Sequence, residues 1–322
     1  MVDGSRIVAL GHYQPRRVVA NAELAAVIET SDEWIRSRTG IVTRRHADDD
    51  ETVPEMARLA SLHALEAADI DPASIDLVVA SSMTSQHRSP TVAGIVAAGI
   101  GTGGAAVIDV NVACSGFVHA LALADFSIRG GAAHRALVIG SDKMTAFTEA
   151  GDRSTCVLTA DGAGAAVLDA SNERGIGPVA WGSVPEMVQA VRMQPPSELF
   201  AQDGRAVYRW ALTHGATHAR RAIELAGVDA SEIAVLVTHQ ANLRIIEPLA
   251  EQLGLSDRVI VTDVVESGNT SAASIPLGFS KWWHSGRIPA DQLALLFGFG
   301  GGFAYAASVV RTPALPPAQA AG

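Results

Sequence analysis

Cysteine is nearly absent from this chain. Cys114 and Cys156 are the only two among 322 residues, too few for a disulfide framework. Aromatic residues make up 5% and charged residues 18%. No apolar run reaches membrane-spanning length unbroken. Two uncharged stretches, 89–108 and 293–310, come near, but they carry five and four glycines respectively and break into short pieces. Both therefore read as buried segments of a folded body. A basic excess is missing too: 34 acidic residues face 24 Lys and Arg, a formal charge of −10. That argues against nucleic-acid binding, because neutralising phosphates needs a positive face, and an anionic ligand would need local arginines. The first eleven residues hold no apolar leader-like stretch, which, with so little cysteine, points to a reducing, cytoplasmic setting. What remains is 48% hydrophobic and rich in Ala, Val and Gly, the composition of a globular protein with one extended core or two fused domains.

The chain matches itself. Residues 64–79 (ALEAADIDPASIDLVV) and 222–237 (AIELAGVDASEIAVLV) align without a gap at an offset of 158 (64 to 222), with six of the sixteen positions identical. The same offset brings Asn111 onto Asn269 and the strand-like Ala136–Gly140 onto Ala294–Gly298. Each copy reads as helix, apolar strand (Leu77–Ala80; Val235–Val237), helix, strand, helix, and a strand pair split by a Gly-rich turn. The late strands are Ala136–Ile139 and Gly164–Leu168 in the first copy, and Leu293–Phe297 and Phe303–Val310 in the second. Continuous apolar strands between helices predict sheets covered on both faces. The expected organisation is an N-terminal half, 1–170, and a C-terminal half, 171–322. The stretch 182–202, with prolines and methionines and little periodicity, reads as an irregular excursion of the kind that lines sites.

Cys114 follows the β-rich run Ile108–Val112 and precedes the helical pattern Phe117–Ile128. It sits where a helix begins, so unpaired backbone N–H groups and the helix dipole would favour a thiolate. A lone buried cysteine serves equally well as a small apolar packing group, and Cys156, on the strand-like Thr155–Leu158, is assigned that role. The offset pairs Cys114 with Ala272 and His239 with Ser81, so one copy holds a thiol where the other has a methyl. His239 closes the strand Val235–Val237 and precedes the helical Leu243–Leu253, a strand end suited to facing a ligand; histidines in such places are also often structural. Asn269, in Ser267-Gly268-Asn269-Thr270-Ser271, reads equally as turn chemistry or a helix cap. In a two-fold related pair of units the three could converge.

Other motifs fail their context. Gly99–Gly104 has the dinucleotide-fingerprint spacing, but a helix precedes it and a strand follows, the reverse of what that motif needs. His214 and His218 stand at i, i+4 without the glutamate of a zincin or a third ligand nearby, and read as a solvated helix face, so no metal site is expected. Asp48–Glu51 reads as a solvated loop.

Taken together, Asn111-Val112-Ala113-Cys114-Ser115-Gly116-Phe117, His239-Gln240-Ala241-Asn242-Leu243-Arg244-Ile245-Ile246 and Gly268-Asn269-Thr270-Ser271-Ala272-Ala273-Ser274 resemble β-ketoacyl-acyl-carrier-protein synthase III over nearly the whole chain. Ser31–Ile35, Arg38–Ile41, Asp161–Ala166 and Gly300–Phe303 fit the same pattern in the same order. The resemblance implies a thiolase-like five-layered αβαβα fold of two duplicated halves, usually a homodimer. It implies decarboxylative Claisen condensation of an acyl-CoA primer with malonyl-acyl carrier protein, with no permanently bound cofactor. Cys114 would carry the acyl group. His239 Nε2–H and the Asn269 amide would stabilise the enolate, and the backbone N–H groups of Cys114 and Gly301 would form the oxyanion hole. Trp34, with Arg38 and Arg153, would hold CoA. Arg209 and Arg244 would dock the acidic carrier.

The chain also departs from the family. Glu251 and Gln252 stand where housekeeping members carry lysines, weakening the docking patch. Ser89, on the loop expected to cap the partner's acyl pocket, replaces a bulky aromatic and leaves room for primers beyond acetyl. Thr159-Ala160 replaces a commoner Phe-Gly before Asp161-Gly162. An acyl transfer from Cys114 to an alcohol or amine without decarboxylation is the alternative reading. A partner subunit with a vestigial site would be expected to lack Cys114 or His239. Thiolase-type chemistry would need a further Cys or Glu in the Gly-rich regions, which is missing.

Overall fold

The computed structural model describes residues 2–314. Its first sheet is built from β1 (Gly4–Tyr13), β2 (Leu77–Ser81), β3 (Ala106–Val110), β4 (Arg135–Lys143) and β5 (Asp161–Ser171), in the order β1-β5-β4-β2-β3. The second contains β6 (Ala180–Ser183), β7 (Ile233–Thr238), β8 (Val259–Ile260), β9 (Leu293–Phe299) and β10 (Ala304–Arg311), in the order β6-β10-β9-β7-β8. The two orders are the same, strand for strand. The register repeats as well. Leu77 lies beside Ala136 in the parallel β2–β4 pair, and Val235 beside Ala294 in the β7–β9 pair, both displaced by 158 (77 to 235; 136 to 294).

Five layers follow from where apolar faces must go. The central helices Gly116–Arg129 and Ser274–His284 each touch both sheets, which is why Phe117, Leu121, Ile275 and Phe279 are fully buried. Helices Val53–Ala67 and Val92–Ile100 cover the outside of the first sheet, and Ala216–Ala226 and Leu243–Leu253 that of the second. Local chemistry sets their ends. Thr91 Oγ1 accepts the Gly94 N–H, the Asn242 side chain accepts the Arg244 N–H, and Gly254 closes its helix at φ 75°. The Ser31–Ile35 motif is a cap of the same kind: Ser31 Oγ accepts the Trp34 N–H and starts helix Asp32–Thr39.

The structure corrects several expectations. Of the stretch 89–108, the strand β3 is not buried. It is a sheet edge, with Val107 and Ile108 each 41% exposed. Residues 182 and 183 belong to β6, so the irregular excursion starts later; it holds a 3-10 turn, 185–187, and a two-residue ribbon, Val191–Arg192 with Ala201–Gln202. Cys156 closes a short helix, Arg153–Cys156, not a strand, because Asp152 caps it by accepting the Ser154 N–H. Asp48–Asp50 are exposed, but Glu51 is buried and accepts the Tyr13 hydroxyl at 2.6 Å. His218 is half-buried, stacked on Trp210 and packed against Tyr305, not solvated.

Candidate active site

The two central helices open with the same tight 3-10 turn, 113–115 and 271–273, entered through a positive φ at Ala113 (45°) and Ser271 (52°). Left-handed backbone at a non-glycine residue is costly and is kept where the surroundings hold it, often at functional sites. These turns bring the halves together: Cys114 Sγ lies 3.7 Å from Ser271 Oγ.

The segment 269–274 holds Asn269 and meets Cys114 and His239. The Asn269 backbone is clamped on both sides, its N–H donating to Leu158 O and its carbonyl accepting from Ala160 N. Thr159-Ala160 thus forms the bridge on which Asn269 rests. The Asn269 side-chain oxygen accepts the Ser271 N–H at 2.9 Å, which fixes the amide orientation and leaves Nδ2 as a donor. Ser274 Oγ takes the Gln240 N–H at 3.2 Å and lies 2.7 Å from His239 Nδ1. With the Ser274 hydroxyl donating to Nδ1, the imidazole proton is carried by Nε2. Burial lowers the His239 pKa to about 3, so the ring is neutral at physiological pH and offers an N–H.

Burial also pushes the Cys114 thiol up to about 11, against the pull of the Ser271 hydroxyl and the Gly301 N–H. The resting group is a thiol; the thiolate expected from its place at a helix start is outweighed by desolvation. Space for the sulfur comes from Gly300, where a Cβ would stand 2.6 Å from Sγ. At Gly301 a Cβ would meet the Ala113 Cβ at 2.5 Å. A cavity of about 400 Å³ beside the turn is lined by Met83, Ala113 and Gly301 together with Val191 and Met193 of the excursion.

The other predicted residues are peripheral. The Arg153 guanidinium lies 4.8 Å from the Trp34 ring centre and donates to Glu29 O. Arg38 is exposed at the end of the same helix as Trp34, its carbonyl accepting from Asn242 Nδ2. Arg244 stacks on Tyr208, the neighbour of exposed Arg209, but Glu247 and Glu251 line the same depression. Ser89 is exposed on its loop and is not among the residues lining the cavity beside Cys114.

Sequence reasoning missed Ser271, Ser274, Gln240 and Asp142. Asp142, fully buried, accepts from Ser82 Oγ, Met83 N, Thr84 and, at 2.9 Å, the Ala272 N–H. The offset of 158 reveals what it does, since 272 is the counterpart of 114 and 300 that of 142. In the second half's turn a carboxylate oxygen occupies the N–H of residue 272, whereas in the first half the counterpart of that carboxylate is Gly300. No carboxylate stands at the position beside the first half's turn that Asp142 fills beside the second's.

A duplicated five-layered fold that gathers Cys114, His239 and Asn269 around two matching turns defines a thiolase-fold enzyme. Comparison with known proteins narrows this. The family model described as 3-oxoacyl-[acyl-carrier-protein] synthase III matches residues 108–185, and that for its C terminal region matches 223–312. A β-ketoacyl-[acyl-carrier-protein] synthase III of Streptomyces avermitilis is 56% identical over 97% of this chain and 100% of its own; one from Streptomyces coelicolor is 54% identical with the same coverage. Among solved structures, the priming β-ketosynthase of the R1128 polyketide pathway superposes with a TM-score of 0.94 at 39% identity over 97% of both chains. The Aquifex aeolicus 3-oxoacyl-[acyl-carrier-protein] synthase III does so with 0.92 at 35%, over 96% of this chain and all of the other. The chain belongs to the β-ketoacyl-acyl-carrier-protein synthase III family, a family of condensing enzymes.

Proposed function

We propose that the protein transfers an acyl group from CoA to Cys114 Sγ and condenses it with malonyl-acyl carrier protein, giving 3-oxoacyl-acyl carrier protein, CoA and carbon dioxide. One observation carries the reading: the neutral His239, its Nδ1 facing the Ser274 hydroxyl, and the Asn269 amide with its oxygen already engaged can present two donors. That pair suits an enolate oxygen formed by loss of carbon dioxide and does not suit proton abstraction. The enolate carbon attacks the acyl-Cys114 carbonyl, whose oxygen develops charge toward the N–H groups of Cys114 and Gly301. Removing one such donor costs about 3 kcal/mol in related chemistry.

CoA adenine would stack on Trp34 with the Arg153 guanidinium, now 4.8 Å from that ring, moving aside to flank it, and Arg38 near its phosphates. Arg209 and Arg244 would receive the acidic carrier, with Glu247 and Glu251 beside Arg244 weakening the attraction. Exposed β3 pairs only with β2 on one side, leaving a row of N–H and C=O groups with Val107 and Ile108 beside them. A second copy paired along this edge would cover it and form the homodimer, with the loop carrying Ser89 reaching the partner's acyl pocket. Among the described residues no helix is long and apolar enough to cross a membrane. The test is product analysis: acyl-CoA with malonyl-acyl carrier protein yields the 3-oxoacyl carrier with the parent enzyme and none with Cys114→Ala. Release of the acyl group only to an alcohol or amine would replace this reading with the non-decarboxylating one.

A further inference from the structure

A second cluster of chemistry-bearing side chains lies at the outer edge of the first sheet. His12 stands on β1, the edge strand; His63 comes from the outer helix Val53–Ala67, and His284 ends the central helix Ser274–His284. One ring nitrogen from each lies within 4.8 Å of the other two. The rings of His63 and His284 stack at 4.2 Å, and His12 meets both edge-on, at 4.8 and 5.7 Å. All three are partly buried.

Each ring is held from behind. His284 Nε2 is 2.9 Å from Leu10 O; a carbonyl only accepts, so this nitrogen carries the proton and Nδ1 is a bare lone pair. His12 Nδ1 lies 2.9 Å from Ser280 Oγ, and Nε2 is the free lone pair in the tautomer whose Nδ1–H donates to that hydroxyl. His63 Nδ1 sits against the His12 backbone, 3.2 Å from its N–H and 3.1 Å from its carbonyl, also leaving Nε2. A hydrogen bond on the far nitrogen is what orients metal-ligating imidazoles. The facing charge, Lys281, is already paired with Asp263 at 2.5 Å and Glu266 at 3.6 Å.

We propose that His12, His63 and His284 form a three-histidine site for a late first-row divalent cation, with solvent completing the coordination. Imidazole donors without a carboxylate suit zinc, cobalt, nickel or copper better than magnesium or calcium. Metal–nitrogen bonds of about 2.0–2.1 Å place the ligand atoms roughly 3.3 Å apart, so the rings draw in by about 1 Å, and one of the stacked pair tilts. The cation then ties the first half's edge strand and outer helix to the second half's central helix. That helix starts at Ser274, about 15 Å away at 1.5 Å per residue. The site therefore governs stability, and the rate at Cys114 stays unchanged.

The test is titration of untagged, metal-stripped full-length protein with Co²⁺, followed by visible d–d bands and thermal unfolding. One Co²⁺ per chain, a Tm rise of a few degrees at saturation, and about 100-fold weaker binding in His63→Gln and His284→Gln, with acyl loading within about twofold of the parent, are expected. Binding of parental strength in either variant overturns the proposal, since the metal then sits elsewhere. A parent that takes up no Co²⁺ below millimolar concentration also overturns it. Should a variant fail to fold, EPR of the parent's Cu²⁺ form decides: coupling to imidazole nitrogens is expected, and its absence contradicts the site.

Discussion

The Asp142 carboxylate holds the Ala272 N–H at 2.9 Å, and its counterpart in the other half is Gly300, packed against the Cys114 sulfur. A second exchange accompanies the first: His239 and Ser274 in one half stand where Ser81 and Gly116 stand in the other (81 to 239; 116 to 274). At Gly116 a Cβ would fall 1.9 Å from Ser81 Oγ, so the first half has no room for the histidine-holding serine. Each half has given up what the other keeps, and one site is made of both.

Gly300→Ala puts a methyl 2.6 Å from Cys114 Sγ. Acyl loading is expected to fall about 100-fold, as misplacement by roughly 1 Å does elsewhere, with only a few degrees lost in Tm. Loading rates read by mass decide it, and a variant that loads like the parent contradicts the packing described.

Ser274→Ala removes the hydroxyl that places the His239 proton on Nε2. The expected result is a drop of about 10- to 100-fold in kcat for condensation, with the loading rate and the KM for acyl-CoA little changed. An equal loss in both half-reactions would show a general packing defect.

The two half-reactions should differ in pH dependence. Cys114 is a thiol with its pKa raised to about 11, so its thiolate fraction, and the loading rate, rise about tenfold per pH unit through the neutral range. His239, lowered to about 3, stays neutral, so condensation from preloaded enzyme is flat between about pH 5 and 9. Stability follows pH in the same direction over a lower range. The unfolded imidazole binds a proton below its ordinary value of 6.5 while the folded one does not, so stability is lost as pH falls from about 6.5 toward 3. Single-turnover rates and Tm against pH check both.

Trp34→Ala should raise the KM for acyl-CoA about tenfold and leave kcat alone, and a short pantetheine-like thioester lacking the nucleotide should show no such difference. Equal effects on both substrates would remove Trp34 from the CoA site.

Val107→Lys on the exposed edge of β3 should shift the mass in solution from dimer to monomer by placing charge along the pairing edge. Light scattering reads it, and an unchanged mass would move the interface elsewhere.

Much of this was legible in the chain. The apolar strands and the repeat at 158 foretold two equivalent sheets, because parallel register fixes which residues face which. Helix Leu243–Leu253 could be bounded because its signals, Asn242 and Gly254, are local. Cys156 was misread because Thr155 and Val157 are β-branched, while the Asp152 cap decided the conformation. Glu51 was taken for solvated because Tyr13, which buries it, is far away in sequence. The edge at β3 depends on strand order, which hydrophobicity does not encode. Ser271 and Ser274 carry no signal of their own among the many serines of turns and caps; Asp142 did carry one, since the same repeat sets it against Gly300.

The central claim is that Cys114 alone carries the acyl group while His239 and Asn269 act only in condensation. Intact-mass spectrometry across a panel of acyl-CoAs, followed by malonyl-acyl carrier protein, tests it on the parent, Cys114→Ala, His239→Ala and Asn269→Ala. The account predicts an adduct on every protein except Cys114→Ala, and its discharge into 3-oxoacyl carrier only from the parent. Failure of both His239→Ala and Asn269→Ala to load, or discharge of their adducts at the parental rate, would contradict it.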